Sequence, residues 1–304
     1  MQGVYNIMPL IDRNGKIYNP PEKLFSQDNA LKILYDTFIG RCFLKILTMP
    51  FISETAGKFM SSPLSEPLIK PFVRKNNINL SEYYVDDINS YNDFFTRKIR
   101  PSARKIDMTP ESLISPCDSK LSVYDINSDS VFKIKGSSYS IYDMIKNDSL
   151  ARRFEGGKCL IFRLEVTDYH RYCYFDSGIK SNNVHIRGVL HTVNPIAFRR
   201  YNVYKQNSRE YTLLHTKNFG DAVQIEVGAM MVGKIQNHHG KCRFSRGQEK
   251  GMFLFGGSTI VLLFQKDKVL IDEDIVHNTH QGFETIIKYG EKIGIKYTDV
   301  KQKI

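Results

Sequence analysis

The chain has 304 residues, of which 41% are hydrophobic and 12% aromatic, a composition that supports a buried core and excludes global disorder. Its formal net charge of +11 favours a phosphate-bearing partner, either nucleic acid or an anionic membrane, or is spread over a solvated surface. The five cysteines form no C-x-x-C pair, and the sequence shows neither a secretory signal nor an apolar run of about 20 residues, so we expect reduced thiols and at most a surface contact with a membrane.

The first hundred residues predict helices. In "LKILYDTFIGRCFLKILTMPFI" (31–52), polar residues recur at near-helical spacing among apolar ones, and Pro50 ends the pattern. This amphipathic helix has two interpretations: it docks on a core, or it lies at a bilayer interface, which its basic residues and large aromatics suit. Further helices are predicted around "ETAGKFM" and in "SEYYVDDINSYNDFFTRKI", where Ser81 is the predicted N-cap.

After Pro101 the pattern changes to short strand-like runs separated by turn residues. These runs are "SKLSVYDI", "SVFKIKG", "KCLIFRLEV", "RYCYFDSG", "NNVHIRGVLHTV", "DAVQIEVGAMMVGKI" and "GMFLFGG". A helix-like segment, "SIYDMIKNDSLARRF", interrupts them. The sequence therefore predicts an α+β protein with a helical N-terminal region, residues 1–100, and a β-rich domain, residues 101–304.

One stretch of the β-rich domain, "FLFGGSTIVLLF" (253–264), joins two apolar runs through two glycines and a serine. The ordinary interpretation is a strand, a tight reversal and a second strand. The alternative is that the chain does chemistry on itself there. Asp118 in "LISPCDSK" and His170 in "EVTDYHRY" would supply the carboxylate and base that activate the hydroxyl of Ser258. Three such residues also occur together by chance in a chain of this length, so spacing alone does not decide.

Other candidate sites are weaker. The histidine pairs in "HNTH" and "NHHG" lack accompanying ligand pairs and are typical of loops, so we expect no metal site. The sequence has no tryptophan and no RNP-like aromatic signature, which weakens the nucleic-acid interpretation of the charge.

Several motifs together resemble the phosphatidylserine decarboxylases. "FGGST" (255–259) is similar to that family's Gly-(Gly or Ser)-Ser-Thr processing site, and "RGQEKGMFLFGGST" to the approach to it. "NDFFTRKIRPSARKI", "SPCDSK", "TDYHRY", "TVNP" and "GAMMVGKI" resemble its other signatures, in the family's order. The resemblance covers about residues 80–265 and is highly specific. The Gly-Gly-Ser-Thr form and the long N-terminal extension resemble the branch found in clostridia-like bacteria.

The resemblance implies that the chain makes its own carbonyl cofactor. In this interpretation Ser258 Oγ attacks the Gly257 carbonyl, the peptide becomes an ester, and elimination leaves a pyruvoyl group at the start of a chain of residues 258–304. The glycines allow the strained, closely approached backbone that the attack needs. The products are a large chain, 1–257, and a small pyruvoyl chain, 258–304, which are expected to remain together as a heterodimer. The pyruvoyl group forms a Schiff base with the substrate amine and accepts the electrons left at Cα.

The resemblance also assigns residue roles. Asp118, His170 and Ser258 are predicted to form the charge relay for cleavage. The sequence departs from the family pattern at Ser119, where glycine is usual, and at Cys173, where the family often has a second histidine credited as the relay base. Because a free thiol is a poor base at neutral pH, we favour His170 as the base. The candidate supporting residues are Cys173, His191, Gly256 and Thr259.

The predicted function is therefore that of a carboxy-lyase that converts phosphatidylserine to phosphatidylethanolamine and carbon dioxide in phospholipid biosynthesis. We expect peripheral attachment to the cytoplasmic face of an anionic cell membrane, led by the helix at 31–52, and no nucleic-acid partner. Two alternatives stay open: a pyruvoyl decarboxylase of a soluble amino acid, and an unprocessed, inactive lipid-binding module, which the cysteine at 173 makes conceivable.

Overall fold

The computed structural model describes residues 9–18, 33–48, 50–134, 137–192, 201, 203–229, 234–256 and 258–298, with the side chains of residues 46, 50, 51, 53, 54 and 132–138 excepted. Gly257, residues 193–195 of "TVNP", residues 230–233 of "GAMMVGKI" and the predicted helix start at 31–32 lie outside these ranges. Within the described ranges, no helix has both the length and the hydropathy needed to cross a bilayer. The predicted α+β class is confirmed.

The N-terminal region forms short helices rather than the long ones that the sequence predicts. They are α1 (Phe38–Leu47), α2 (Pro50–Met60), α3 (Ile69–Asn76) and α4 (Tyr91–Phe95), with 3-10 turns at Pro63–Leu68 and Leu80–Glu82. A separate helical turn at 33–36 precedes α1. That turn packs so closely on α1 that a Cβ on Gly40 would lie 2.0 Å from the Ile33 carbonyl oxygen, so only glycine fits there. Pro50 begins α2 as well as following α1, as proline does at a first helical position.

The helix predicted to start at Ser81 is wrong. Asn79 caps only a 3-10 turn there, and the α-helix starts after Ser90. The Ser90 hydroxyl accepts the Asp93 N–H at 3.1 Å and donates to the Asp93 carboxylate at 2.8 Å, a reciprocal cap that defines the start of α4. This helix buries its apolar side chains against the β-rich part of the chain.

The β-rich part is built around one large mixed sheet. The strands of this sheet are β1 (Leu10–Ile11), β2 (Ile17–Tyr18), β4 (Ser119–Asp125), β7 (Lys158–Leu164), β9 (Gly178–Lys180), β10 (Val184–Ile186), β11 (Arg209–Thr216), β12 (Asp221–Val227), β14 (Cys242–Phe244), β16 (Ser258–Phe264) and β18 (Glu284–Ile287). Their order is β14-β9-β11-β12-β16-β7-β4-β18-β1-β2, with β10 paired to β11, and only the β1–β18 pair is parallel among these described strands.

Smaller sheets and helices cover its two faces. The small sheets have the orders β13-β15-β8, β17-β19-β3 and β5-β6. Their strands are β3 (Ser112–Ile114), β5 (Val131–Ile134), β6 (Ser137–Ser140), β8 (Arg171–Cys173), β13 (Ile235–Asn237), β15 (Glu249–Phe253), β17 (Val269–Ile271) and β19 (Lys292–Lys296). The remaining helices are α5 (Ile141–Ile145), α6 (Asp148–Arg152), α7 (Val203–Gln206) and α8 (Glu273–His280).

Two buried apolar clusters lie on opposite faces of the large sheet, and β16 contributes to both. Ile260, Leu262 and Phe264 pack in one cluster, while Val261 and Leu263 pack in the other. Every residue of β16 is buried, as expected for a strand covered on both faces.

The tight strand reversal predicted at the two glycines is wrong. Strand β15 pairs with β13 and β8, whereas β16 pairs with β12 and β7. A fully buried strand such as β16 needs a partner on both edges and cover on both faces, and a hairpin with the five-residue β15 does not supply these. The chain therefore passes, after residues 254–256, from a small sheet into the centre of the large one.

Candidate active site

Ser258 is the first residue of the central strand β16. It lies opposite Leu164 of β7, and strand alternation places its side chain on the face of Ile260 and Leu262. The residue is fully buried, and its Oγ makes no hydrogen bond to a described residue. Because a buried polar atom without a partner costs about 1–3 kcal/mol, this hydroxyl is a candidate for a chemical role rather than a stabilising one.

The segment before Ser258 is fixed by hydrogen bonds from outside its own sheet. The Phe253 N–H donates to the His170 carbonyl at 3.0 Å, and the Phe255 N–H donates to Asn92 Oδ1 at 3.0 Å. Gly256 then adopts a φ of 132°, a conformation that residues with a Cβ rarely adopt. The glycine requirement predicted for this stretch is therefore met at Gly256.

His170 is buried beside this segment, with its ring centroid 3.8 Å from that of Phe95. Its Nδ1 lies 2.9 Å from the backbone carbonyl oxygen of Asp168. Since a carbonyl oxygen can only accept, Nδ1 carries the proton and Nε2 is left with a lone pair. The buried Nε2 has no hydrogen-bond partner among the described residues. This is the tautomer that a general base requires.

The surroundings also keep His170 neutral. The pKa of its imidazole is lowered to about 3, chiefly by burial and then by the nearby Arg97 guanidinium, while the neighbouring backbones of Asp168 and Gly256 act in the opposite direction. A histidine with its pKa far below neutrality is uncharged at physiological pH. Its lone pair is therefore available beside the backbone of Gly256, which is two positions before Ser258 in the sequence.

Asp118 does not contact His170, so the predicted relay is not a continuous hydrogen-bonded chain. Its buried carboxylate accepts two hydrogen bonds from Arg104, at 3.1 and 2.7 Å, and one from the Tyr289 N–H at 2.7 Å. The Asp168 carbonyl orients the histidine instead. The family resemblance assigned an aspartate to this task, and the sequence could not indicate the alternative because a backbone carbonyl leaves no residue-type signal.

Cys173 lies on β8 and is fully buried. Burial raises the pKa of its thiol to about 12, although a hydrogen bond with Tyr289 acts in the opposite direction. The thiol is therefore protonated at neutral pH, and a protonated thiol accepts protons poorly. The geometry supports His170 over Cys173 as the base.

The other supporting candidates lie further from the hydroxyl. His191 contacts Tyr35 Oη through Nδ1 at 3.4 Å and stacks on Tyr201 at 4.0 Å between ring centroids. The Asn207 amide donates to the carbonyls of both His191 and Gly228, each at 2.7 Å. Thr259 pairs with Val227, the residue before Gly228, and its buried Oγ1 has no described partner. Its side chain points to the sheet face opposite that of Ser258.

The sequence did not single out Asn92, Phe95 or Arg97, although all three lie in the "NDFFTRKI" motif. Asn92 and Phe95 contact the segment before Ser258 and the His170 ring. The Arg97 guanidinium lies over the Tyr83 and Phe94 rings, at 4.2 and 4.7 Å from their centroids. The motif itself could have indicated these residues, but their contacts with Phe255 and His170 are visible only in the structure. Within the described part of the chain, no group of three His, Cys, Asp or Glu residues is placed to hold a metal ion.

The comparisons with known proteins agree with the motifs. A family model for phosphatidylserine decarboxylase matches residues 91–295. The chain belongs to the phosphatidylserine decarboxylase family. The family predicted from the motifs is thus confirmed, and its matched region starts at Tyr91, the first residue of α4.

Curated relatives from clostridia cover most of the chain. The chain is 47% identical over 269 residues to phosphatidylserine decarboxylase proenzyme 2 of Clostridium acetobutylicum, which covers 88% of this chain and 92% of that protein. It is 40% identical over 292 residues to the phosphatidylserine decarboxylase proenzyme of Clostridium novyi and 41% identical over the same length to that of Clostridium perfringens, with 92% of this chain and 99% of each relative covered. These relatives are named as proenzymes, which are processed before they act.

Proposed function

We propose that this protein is the proenzyme of a phosphatidylserine decarboxylase that cleaves itself between Gly257 and Ser258. The family membership supports the reaction, in which phosphatidylserine yields phosphatidylethanolamine and carbon dioxide. The single observation that carries the site is a buried, unpartnered Ser258 hydroxyl that follows a positive-φ glycine and lies near a neutral histidine with an unpartnered Nε2.

Self-cleavage uses groups of the chain alone. His170 Nε2 takes the proton of Ser258 Oγ as the oxygen adds to the Gly257 carbonyl carbon. The C–N bond then breaks, the amine of Ser258 receives the proton, and an ester links the two segments. Loss of the Ser258 Cα proton breaks the Cβ–O bond and releases the Gly257 carboxylate, and water replaces the nitrogen as ammonia to leave a pyruvoyl group. The carbonyl so made supplies the electron sink that decarboxylation of an amino acid needs.

The residues around Ser258 fit such a group. Its position is fully buried between β12 and β7, so water is excluded from the backbone there. His170 then holds a proton close to the reacting position, where a carbanion must be protonated after carbon dioxide leaves. Asp118 is assigned an indirect role, because it holds Arg104 and the Tyr289 backbone rather than the histidine.

The two products are proposed to stay together as a heterodimer. After the cut, β16 of the small chain remains between β12 and β7 of the large chain, and β18 remains between β4 and β1. Arg13 of the large chain also binds Asp272 and Asp274 of the small chain, each at 2.8 Å. Separation would expose a fully buried strand and break these ion pairs, so we expect no dissociation under native conditions.

We propose peripheral attachment to the cytoplasmic face of an anionic membrane. Helix α1 docks one face on the protein through the buried Leu44, and Thr48 is buried directly after its end, but Phe38, Ile39 and Phe43 are exposed by 74%, 69% and 59%. The same helical region carries exposed basic side chains at Lys45, Lys58, Lys70, Arg74 and Lys75. Exposed large apolar residues beside positive charge match the interface of an anionic bilayer. In this proposal the two interpretations of the helix apply to its two faces, with one face docked on the protein and the other at the bilayer interface.

The test of function compares lipid with soluble substrate. We expect the purified protein to release carbon dioxide from phosphatidylserine vesicles and not from serine or glycerophosphoserine. Ser258→Ala should abolish release, whereas Ser122→Ala, a buried serine on β4, should leave it within about twofold. Equal release from free serine would favour the soluble amino acid alternative, and activity in Ser258→Ala would contradict the proposed cofactor.

A further inference from the structure

Helix α4 holds the segment that precedes the proposed scissile bond. Tyr91 contacts the Phe255 ring edge-on at 5.0 Å between centroids, and Phe95 contacts the same ring at 5.5 Å. Between these two residues on the helix, Asn92 accepts the Phe255 N–H through Oδ1 at 3.0 Å. The helix and the segment are 163 positions apart in sequence, so this contact arises only in the folded chain.

The Asn92 contact holds the backbone three residues before Ser258, and the His170 side chain interacts with the backbone of the next residue, Gly256. Upstream, the Phe253 and Leu254 N–H groups donate to the carbonyls of His170 and Lys234, each at 3.0 Å. Downstream, β16 is held by the strands on either side. Between Phe255 and Ser258 the chain passes through Gly256, whose φ is 132°. A strained backbone persists only when both of its ends are anchored, and Asn92 is the upstream anchor.

We propose that Asn92 is a positioning residue for self-cleavage: its side-chain oxygen fixes the backbone at Phe255 so that the Gly257 carbonyl is presented to Ser258. This inference rests on the proposed cleavage site. Attack within a chain is fast only when the reacting atoms are held near their reactive geometry, and Asn92 forms no bond with them. After the cut Phe255 belongs to the end of the large chain, so Asn92 has no task in the decarboxylation that follows.

Asn92→Leu removes the acceptor while keeping a side chain of similar size. Since one hydrogen bond contributes about 1.4 kcal/mol at the upper end of the neutral range, we expect cleavage to slow about tenfold. Asn92→Asp keeps an oxygen at the same place and adds negative charge in the first turn of α4, which a helix start favours. It should cleave within about twofold of the wild-type rate. Asn92→Gln moves the oxygen by one methylene and should behave like Asn92→Leu.

The matched control is Asn76→Leu. Asn76 is also a half-buried asparagine of the N-terminal region, but its side chain donates to the Phe72 carbonyl within α3 at 2.8 Å. This variant should cleave at the wild-type rate. Folding of each variant is measured by thermal unfolding in a Ser258→Ala background, in which no cleavage complicates the comparison.

The experiment follows cleavage on gels during cell-free synthesis and then measures carbon dioxide release per cleaved chain. The inference predicts slow cleavage in the Leu and Gln variants, rescue by Asp, and unchanged release per cleaved chain in all of them. Wild-type cleavage rates in a folded Leu or Gln variant would overturn it while leaving the cleavage site intact. A wild-type chain that is never cut would overturn both proposals.

Discussion

The helical region leaves many large apolar side chains exposed, whereas the central strand of the large sheet buries all of its side chains. Residues 33–68 expose seven large apolar side chains by 42–77%, namely Ile33, Phe38, Ile39, Phe43, Phe59, Leu64 and Leu68. In the sheet, the seven residues of β16 are all buried, and its two polar residues, Ser258 and Thr259, have side-chain oxygens without a described hydrogen-bond partner. Ser119 on β4 and Gln224 on β12 also have such atoms. A patch of exposed apolar side chains is typical of a surface that binds a membrane or another protein. Buried polar atoms without hydrogen-bond partners are candidates for a chemical role. The exposed apolar side chains of the helical region thus carry the proposal of membrane attachment, and the buried polar groups around β16 carry the proposal of self-cleavage.

We expect the largest change in the rate of self-cleavage when His170 is replaced. His170→Ala should reduce self-cleavage by about 10²- to 10⁴-fold, because it removes the base that takes the Ser258 proton. Gel analysis of freshly synthesised chains measures this directly. The matched control is His215→Ala, since His215 is an exposed histidine that pairs with Asp221 and should have no effect. If the His170→Ala chain were cut at the normal rate, His170 would not be the base for self-cleavage.

The membrane surface of α1 should give the next largest effect. Replacing Phe38 and Phe43 together by serine removes two exposed rings, each able to contribute about 1.5–3 kcal/mol when fully buried. We expect binding to anionic vesicles to fall at least tenfold in flotation assays, with self-cleavage unchanged. Leu270→Ser, an exposed apolar residue of β17, is the control and should bind normally. An equal loss of vesicle binding in the Leu270→Ser variant would contradict the proposal that α1 is the membrane-binding surface.

Acid should destabilise the sheet region through His170. Its pKa is about 3 when folded, against 6.5 for the free side chain. Between these values the unfolded chain binds a proton that the folded chain does not, so stability rises with pH across this window and falls on acidification. At about 1.4 kcal/mol per pH unit, lowering the pH from 6.5 to 5 should cost about 2 kcal/mol.

The measurement is thermal or urea unfolding of Ser258→Ala against the double variant that also carries His170→Leu. The double variant should lack this part of the pH dependence. An equal loss of stability in both chains between pH 6.5 and 5 would show that His170 is not the group responsible.

The smallest effect is expected at Cys173. Because its thiol has a pKa of about 12, Cys173→Ala should change the cleavage rate by no more than about twofold, provided that the variant folds. The competing account, in which an ionised Cys173 replaces the missing histidine, predicts an uncut chain. The same gel assay that measures His170→Ala separates the two accounts.

The sequence predicted the class, most strands and the family, because these depend on local patterns. Alternating and continuous apolar runs mark strands whatever their partners, and β4, β7 and β12 lie inside the predicted runs. Partners depend on distant residues, which is why β15 and β16 were taken for a hairpin. Helix starts failed for a different reason. Ser81 and Ser90 are both plausible caps, and only Ser90 has a residue three positions later that completes a reciprocal cap.

The candidate site was predictable where residue type carries the chemistry. Ser258 and His170 were identified because hydroxyl and imidazole groups are recognisable in a motif. The group that orients His170 was not predictable, since it is the Asp168 backbone carbonyl. Asn92 was equally hidden, because its function depends on a contact with Phe255 that the sequence places far away.

The mass of the purified wild-type protein tests the central claim most directly. The account predicts two chains, residues 1–257 and a 47-residue fragment, 258–304, that is lighter by one ammonia than the same peptide with an intact serine at its start. A single uncut chain in an active preparation, or a small fragment with an unaltered Ser258, would contradict it.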